Sequence, residues 1–444
     1  MRFSKHLLLI TLVLSPLTAY VNADDFIIDK QRYHEQLKGF WLGQSIANWT
    51  GLVTEMDKIG GEGIHGKFYR RDDWGKADQP SIWGQGIPSD LSKTIDWVLE
   101  TNNQPWGSDD DTDIEYMYQF LLHQHQTTRL SATQIRDGWM KHIYSDANTP
   151  FTTAEGKPEN YLWVANQTAH DLMRLNDMLP PETGQQGNNP HFDMIDAQLS
   201  TEIFGLFAPY NQAVALTISE LPIRTVADKE ALIAAQFYVI LHSQAVAVDI
   251  QKPIQPQLER IANRARKHLP DESYLAHMFD DVYQAYKSNE PWEEVRDDLY
   301  QTYQVSAMHG YNITSRDLYC NGCFAAGINF GASLISYFYG EGDYKETVKL
   351  AVLMGWDSDN PAATWGGLLG FIYGYQHLQD QFAEDLSIQF NIHRTRGGFP
   401  SNGLDNFDDM ATVGLAVTER VIVEEMNGVV QNTQWVIPKP NQTD

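Results

Sequence analysis

The sequence predicts an all-α fold, a multi-helix bundle with minor β-structure at its C-terminus, and three observations carry that prediction. Apolar residues recur at helical spacing in twelve segments spread along the 444 residues, the pattern of helices with one buried face. No Pro/Ser-rich linker, internal repeat or low-complexity tract divides the chain, so residues 24–444 read as a single domain. Strand character is confined to Gln431–Pro438, where Trp435, Val436 and Ile437 adjoin; residues 427–444 therefore read as a C-terminal arm.

Taken in order, Arg2 and Lys5 precede an apolar run from Leu7 to Leu14, and Val21-Asn22-Ala23 supplies small residues for cleavage. This is the layout of a signal peptide over 1–23, which implies an exported protein, periplasmic or secreted. The run is too short for a permanent membrane span, and no later stretch is suitable, so no membrane insertion is expected of the mature chain. The full chain has 32 basic and 58 acidic residues and a formal charge of −26; losing Arg2 and Lys5 would make it more negative still. Such a charge repels nucleic acid and anionic lipid.

A helical pattern over 31–48 leads to Glu55, followed by an irregular excursion over 56–90 rich in Gly, Asp, Lys and aromatics, including Trp74 and Trp83. Long loops in compact domains are often functional, and this one is expected to form a wall of the cleft. Next come Asp109-Asp110-Asp111-Thr112-Asp113 and then Ile114, Met117, Tyr118, Leu121 and Leu122 at the spacing of a buried helical face over 112–126. The aspartates therefore sit at a helix N-terminus, where backbone N–H groups and the macrodipole favour carboxylates. Further patterns cover 132–144, 158–175, 195–208, 227–247, 255–268 and 275–287. A turn-rich loop at 180–190 contains Asn188 and Asn189.

The two cysteines, Cys320 and Cys323, form a Cys-x-x-Cys pair with Asn-Gly between them. In an exported chain this suits a local disulfide, and no paired histidine spacing offers the other two ligands of a zinc site. Patterns over 322–339 and 344–354 lead to the second acidic stretch, Gly355-Trp356-Asp357-Ser358-Asp359-Asn360. Pro361 and Asn360 suit the first helical position and N-cap of a 361–375 helix. Ala362, Gly366, Gly370 and Gly374 recur every four residues there, which would let another backbone approach closely. The last helical pattern is 406–426.

The two acidic stretches read as halves of one metal site. Burying unpaired carboxylates costs several kcal/mol, roughly, unless cations or donors compensate, and oxygen-only donor sets suit Mg²⁺. The bland alternative is that each stretch merely caps its helix in solvent.

In these motifs the chain resembles the ADP-ribosylglycohydrolase family. Asp109-Asp110-Asp111-Thr112 matches that family's first metal motif, usually Thr-Asp-Asp-Thr, and Gly355-Trp356-Asp357-Ser358-Asp359-Asn360 its second. Gly39-Phe40-Trp41-Leu42-Gly43 through Gly51 to Glu55 matches its N-terminal opening. Asn188-Asn189-Pro190, Ile195-Asp196-Ala197-Gln198, Glu202-Ile203-Phe204-Gly205, Asn329 and Gly340-Glu341-Gly342-Asp343-Tyr344 follow in the family's order. The resemblance implies an orthogonal helical bundle and a glycohydrolase acting on an ADP-ribosyl or related ribosyl substrate, small or protein-linked. It implies one or two Mg²⁺ ions, with Mn²⁺ as the substitute, held by Asp109, Asp110, Asp111, Asp357, Asp359 and Asn360. Glu55 and Asp111 are the candidate bases. Trp106, Asn188, Asn189, Asp193 and Trp356 are the expected substrate contacts, whereas Tyr116 and Trp365 read as core. Arg224, Arg394 and Arg396 are candidates to offset a pyrophosphate's charge. Asp109 and Asn360 stand where threonine is usual. That leaves two rival functions, a ribosyl-binding protein without turnover and an exported hydrolase of another N- or O-glycoside.

Overall fold

The computed structural model describes residues 25–439 apart from 83–88, 90, 102–103, 154–155, 318–319 and 383. The signal-peptide reading, Trp83 and the end of the C-terminal arm lie outside the described residues. Helices dominate, and no described helix is long and apolar enough to cross a membrane.

At the centre, the Lys30–Gly51 helix packs along the Asp359–Tyr373 helix. The glycine series explains how closely. A Cβ on Gly39 would come 2.2 Å from the Gly370 carbonyl oxygen, and one on Gly43 2.2 Å from that of Gly366. Any side chain at these positions would force the backbones apart, which outweighs the roughly 1 kcal/mol helix penalty of each glycine. The contact continues to the helix ends, where a Cβ on Gly51 would meet the Asp359 Cα at 2.3 Å. The first helix therefore delivers Glu55 to the start of the second.

Around this pair the predicted helices form with shifted limits, as Asp110–His125, Ala132–His142, Lys229–Ala245, Gln255–Arg266, Tyr274–Lys287, Ala326–Tyr339, Tyr344–Val352 and Phe407–Glu424. Three more were not legible: Gln212–Arg224, with Pro222 in its last turn; the highly charged Trp292–Leu299; and Tyr375–Gln381. Two expected helices are shortened or broken. The 158–175 pattern becomes helical only at Val164, because Tyr161 and Val164 take positive φ angles of 45° and 21°. The 195–208 pattern splits into Asp196–Leu199 and Ile203–Phe207, where the Ile203 N–H donates to Glu115 Oε1 at 2.7 Å. The arm pairs antiparallel, Gln434–Ile437 against Phe26–Asp29, tying the two ends together. Cys320 and Cys323 are joined in a disulfide.

The 56–82 part of the excursion is irregular as expected, but it is not a wall of the cavity described below. It packs behind Glu55, where the Tyr69 hydroxyl donates to Asp57 at 2.6 Å and buried Arg296 donates to the Tyr69 carbonyl at 2.6 Å.

Candidate metal centre

Both acidic stretches open on one cavity of about 400 Å³. The first is set by its helix start: Asp109 is the N-cap of Asp110–His125 and accepts from the Asp111 N–H at 3.1 Å. Its other oxygen accepts from Asn48 Nδ2 at 3.0 Å, fixing it to the first helix. The second stretch is held by backbone pairing with the turn after Gly51. The Trp356 N–H donates to the Lys58 carbonyl at 2.6 Å, and the Met56 N–H to the Trp356 carbonyl at 2.9 Å. This turn needs the positive φ of Gly355, 92°, since a Cβ there would strike the Lys58 carbonyl at 2.5 Å. Asp357 is thereby brought beside Glu55.

The helix begins at Asp359, not Pro361, with Ser358 at the N-cap position. Asp359 and Asn360 thus lie in its first turn. Asn360 does not cap it; its Nδ2 donates to Asp111 Oδ1 at 2.9 Å and so joins the two stretches.

Glu55, Asp357 and Asp359 offer oxygens within 4.8 Å of one another, and so do Asp109, Asp110 and Asp111. Burial, then the charges of Asp359, Asp110 and Asp109, hold Glu55 well above the usual carboxylate range. Burial and neighbouring aspartates raise Asp109, Asp111 and Asp357 in the same direction. Asp110 reaches only about 6, because Arg396 opposes its burial. Asp359 is pushed up to about 7 by burial, with a hydrogen bond to Asp111 working against it. Crowded carboxylates of this kind cannot all ionise without cations. The donor set is all oxygen, and Asp359 Oδ1 and Asn360 Oδ1 are buried without a protein partner. Those features fit a hard divalent ion, and the groups could hold one.

Asp196 is a cavity residue for which no role was expected. It accepts from the Asn166 N–H at 2.9 Å and is pushed up to about 7 by burial. Its signal lay in Ile195-Asp196-Ala197-Gln198, noted only for its order in the chain. Trp49, Tyr161, Trp163, Phe324 and His393 also line the cavity. Tyr161 and Trp163 fell in a stretch read as helical, so no local pattern marked them.

Several residues expected to contact substrate lie away from the cavity. Trp106 and Trp356 are fully buried in the core, donating through Nε1 to the Ser387 carbonyl at 2.9 Å and to Gln304 Oε1 at 2.7 Å. Neither lines the cavity. Asn188 donates to the Glu182 carbonyl and Asn189 to the Ala165 carbonyl, both holding the loop together. Asp193 accepts from the Thr314 N–H at 2.7 Å and from the Thr314 hydroxyl, and it too stands outside the cavity. None of the three arginines faces the cavity either. Arg224 lies beside Glu220, Arg394 grips Glu159, and Arg396 lies 2.9 Å from Asp113. Tyr116 and Trp365 are core, as read from the sequence.

The comparisons with known proteins come to bear on this geometry. A search of curated proteins gave no match. Among solved structures, one described as an ADP-ribosylglycohydrolase-related protein complex is similar at 16% identity, with a TM-score of 0.47, over 88% of this chain and 99% of that one. A family model for ADP-ribosylglycohydrolases matches residues 29–397, which contain both acidic stretches and Glu55, and the chain therefore belongs to the ADP-ribosylglycohydrolase family.

Proposed function

We propose that this protein is a Mg²⁺-dependent hydrolase that cleaves the glycosidic bond of an ADP-ribosyl or related ribosyl substrate. One observation carries the reading: six acids from three separate stretches of chain converge on one cavity with unpartnered buried oxygens between them. Asp110, Asp111, Asp357 and Asp359 would hold the metal, with Asp109 and Asn360 orienting them. Bound there, Mg²⁺ would act as a Lewis acid and template for ribose hydroxyls and water.

The chain's own groups supply the rest. Glu55 lines the cavity, and no side chain among the described residues donates a hydrogen bond to it. Its raised proton affinity suits a general base that takes a proton from the attacking water. Asp111, fixed through Asn360, is the second candidate for that proton. Negative charge around the anomeric carbon would stabilise the oxocarbenium-like transition state of glycoside cleavage.

The reading includes export. The 1–23 pattern supports it, and the Cys320–Cys323 disulfide suits an oxidising compartment. Fractionation of the source cells would check this; protein retained at full length in the cytoplasm counts against it.

Purified protein with Mg²⁺ should hydrolyse at least one glycoside in a panel of ADP-ribosyl-arginine, ADP-ribosyl-serine, ADP-ribose 1″-phosphate and simple nucleosides, and chelation should abolish the activity. Binding without turnover would instead identify a non-catalytic ribosyl-binding protein.

A further inference from the structure

The Cys320–Cys323 disulfide closes a turn that lies outside the cavity. Both cysteines are buried, while Asn321 between them is exposed. Asn321 and Gly322 take positive φ angles of 52° and 84°, and a Cβ on Gly322 would strike the Ile313 side chain at 2.2 Å, so glycine is required there.

Two hydrogen-bonded routes run from this turn to Asp357. In the first, the Asn321 carbonyl accepts from Gln304 Nε2 at 2.8 Å, and Gln304 Oε1 accepts from Trp356 Nε1 at 2.7 Å. An indole N–H can only donate, so it fixes which end of the amide faces it and leaves the Gln304 nitrogen for Asn321. Gln304 is fully buried in a π-helical segment, Tyr300–Val305, an irregularity that recurs at functional sites. In the second route, the Cys323 carbonyl accepts from Asn329 Nδ2 at 2.8 Å, and Asn329 Oδ1 accepts from the Asp357 N–H at 3.3 Å. The chain just beyond the turn also builds the cavity wall. Phe324 lines the cavity, and its carbonyl accepts at 3.1 Å from the N–H of Ile195, another lining residue.

Both routes end beside a residue that must be held. Trp356, immediately before Asp357, has a φ of 56°. A bulky side chain is disfavoured in the left-handed region and stays there only where its surroundings fix it. Gln304 fixes the indole, and Lys58 and Met56 fix the backbone. At the other end, a bond from the Ala325 N–H to the Gly322 carbonyl at 3.0 Å braces the turn from outside. The Asn321 carbonyl lies inside the ring that the disulfide closes, so its direction depends on that bond between the cysteines.

We propose that the Cys320–Cys323 disulfide is a redox control on the metal centre. Oxidised, it holds the Asn321 and Cys323 carbonyls where Gln304 and Asn329 fix Trp356 and Asp357. Reduced, it frees the turn and loosens Asp357. Gln304 and Asn329 are positioning residues in this arrangement, which rests on the metal reading above. Reduction by a dithiol breaks the S–S bond and passes two electrons to the cysteine sulfurs. The dithiol's two protons end on the two cysteine thiols, and the dithiol leaves as its own disulfide. The centre is thereby completed only in a compartment that keeps the pair oxidised.

The test combines Mg²⁺ calorimetry with hydrogen exchange of the peptide carrying Trp356 and Asp357. Both are measured on oxidised protein, on protein reduced with dithiothreitol and checked by thiol titration, and on reoxidised protein. Reduction is expected to weaken Mg²⁺ binding about tenfold, the scale of a support behind a metal ligand, and to speed exchange; reoxidation should restore both. The double variant Cys320→Ser, Cys323→Ser should behave as the reduced protein does and ignore dithiothreitol. Gln304→Met keeps the disulfide and should cost a similar factor, with reduction adding less than it does in the parent because the two share a route. Unchanged Mg²⁺ affinity in protein with two titratable thiols overturns the inference, and so does full affinity in Gln304→Met. If reduction unfolds the chain, Gln304→Met decides. If the oxidised protein binds no Mg²⁺, the metal reading falls, and exchange in the metal-free protein decides this inference alone: an unchanged rate on reduction sinks it.

Discussion

Two of the acid clusters among the described residues are built on opposite plans. Behind the cavity, Glu115 and Glu202 are fully enclosed, yet each has its donors: Gln44 Nε2 and the Ile203 N–H for Glu115, Gln198 Nε2 and the Thr364 hydroxyl for Glu202. At the cavity, no side chain among the described residues donates to Glu55, Asp110 or Asp357. The first cluster is satisfied by the protein itself; the second keeps buried oxygens without a protein donor and could hold a metal ion. Buried carboxylates are thus not all alike as functional signals, and the location of the missing donors separates framework from site.

The difference can be broken most directly at Asp357. Asp357→Asn should lower turnover by roughly a thousandfold, about 4 kcal/mol of transition-state stabilisation, and remove Mg²⁺ binding in calorimetry. Unchanged metal binding would dissolve the distinction between the clusters.

The framework cluster should fail in the other way. Glu202→Ala leaves Gln198 and Thr364 without their acceptor, and a loss of about 3 kcal/mol in urea unfolding is expected. Metal affinity of the molecules that remain folded should not change.

Acidity sharpens the contrast next. In the metal-free protein Asp110 and Asp359 titrate near 6 and 7, above their ordinary value of 3.8. The folded state therefore binds more protons than the unfolded chain between about pH 4 and 7, so the contribution of these groups to stability is present below that window and is lost as pH rises through it. Saturating Mg²⁺ should remove this loss, and binding near pH 6 should release on the order of one proton per ion. Stability of the metal-free protein rising across the same window would contradict the assignment.

The smallest effect is expected at Asn360, which orients Asp111 without an essential charge. Asn360→Ala should weaken Mg²⁺ binding about tenfold, the scale of a supporting hydrogen bond behind a ligand. No change would mean that Asp111 is held by other contacts.

Much of the framework was legible because it is periodic. The helices around the site announce themselves by apolar spacing, and the glycines at 366 and 370 announced a close backbone approach before its partner, the first helix, was known. The Tyr161–Trp163 segment was misread because its apolar spacing resembles a helix. Arg396, some 235 residues away, instead takes the carbonyls of Asn160 and Tyr161. Trp106 and Trp356 were read as cleft residues because they adjoin the acids in sequence, yet a side chain next to a site residue commonly points the opposite way. Here both point into the core.

By itself, the sequence determined which carboxylates belong together, because their residue types and places at helix starts are local properties that the motifs preserve. The tertiary structure alone decided what surrounds them: the added Asp196, the absence of cations among the described lining residues, and the aromatic residues of the cavity wall. Those features depend on where distant side chains finally point. That is set by packing between helices, glycine against glycine at the Lys30–Gly51 and Asp359–Tyr373 contact, and by the buried arginine that bends the 158–163 segment out of its helix.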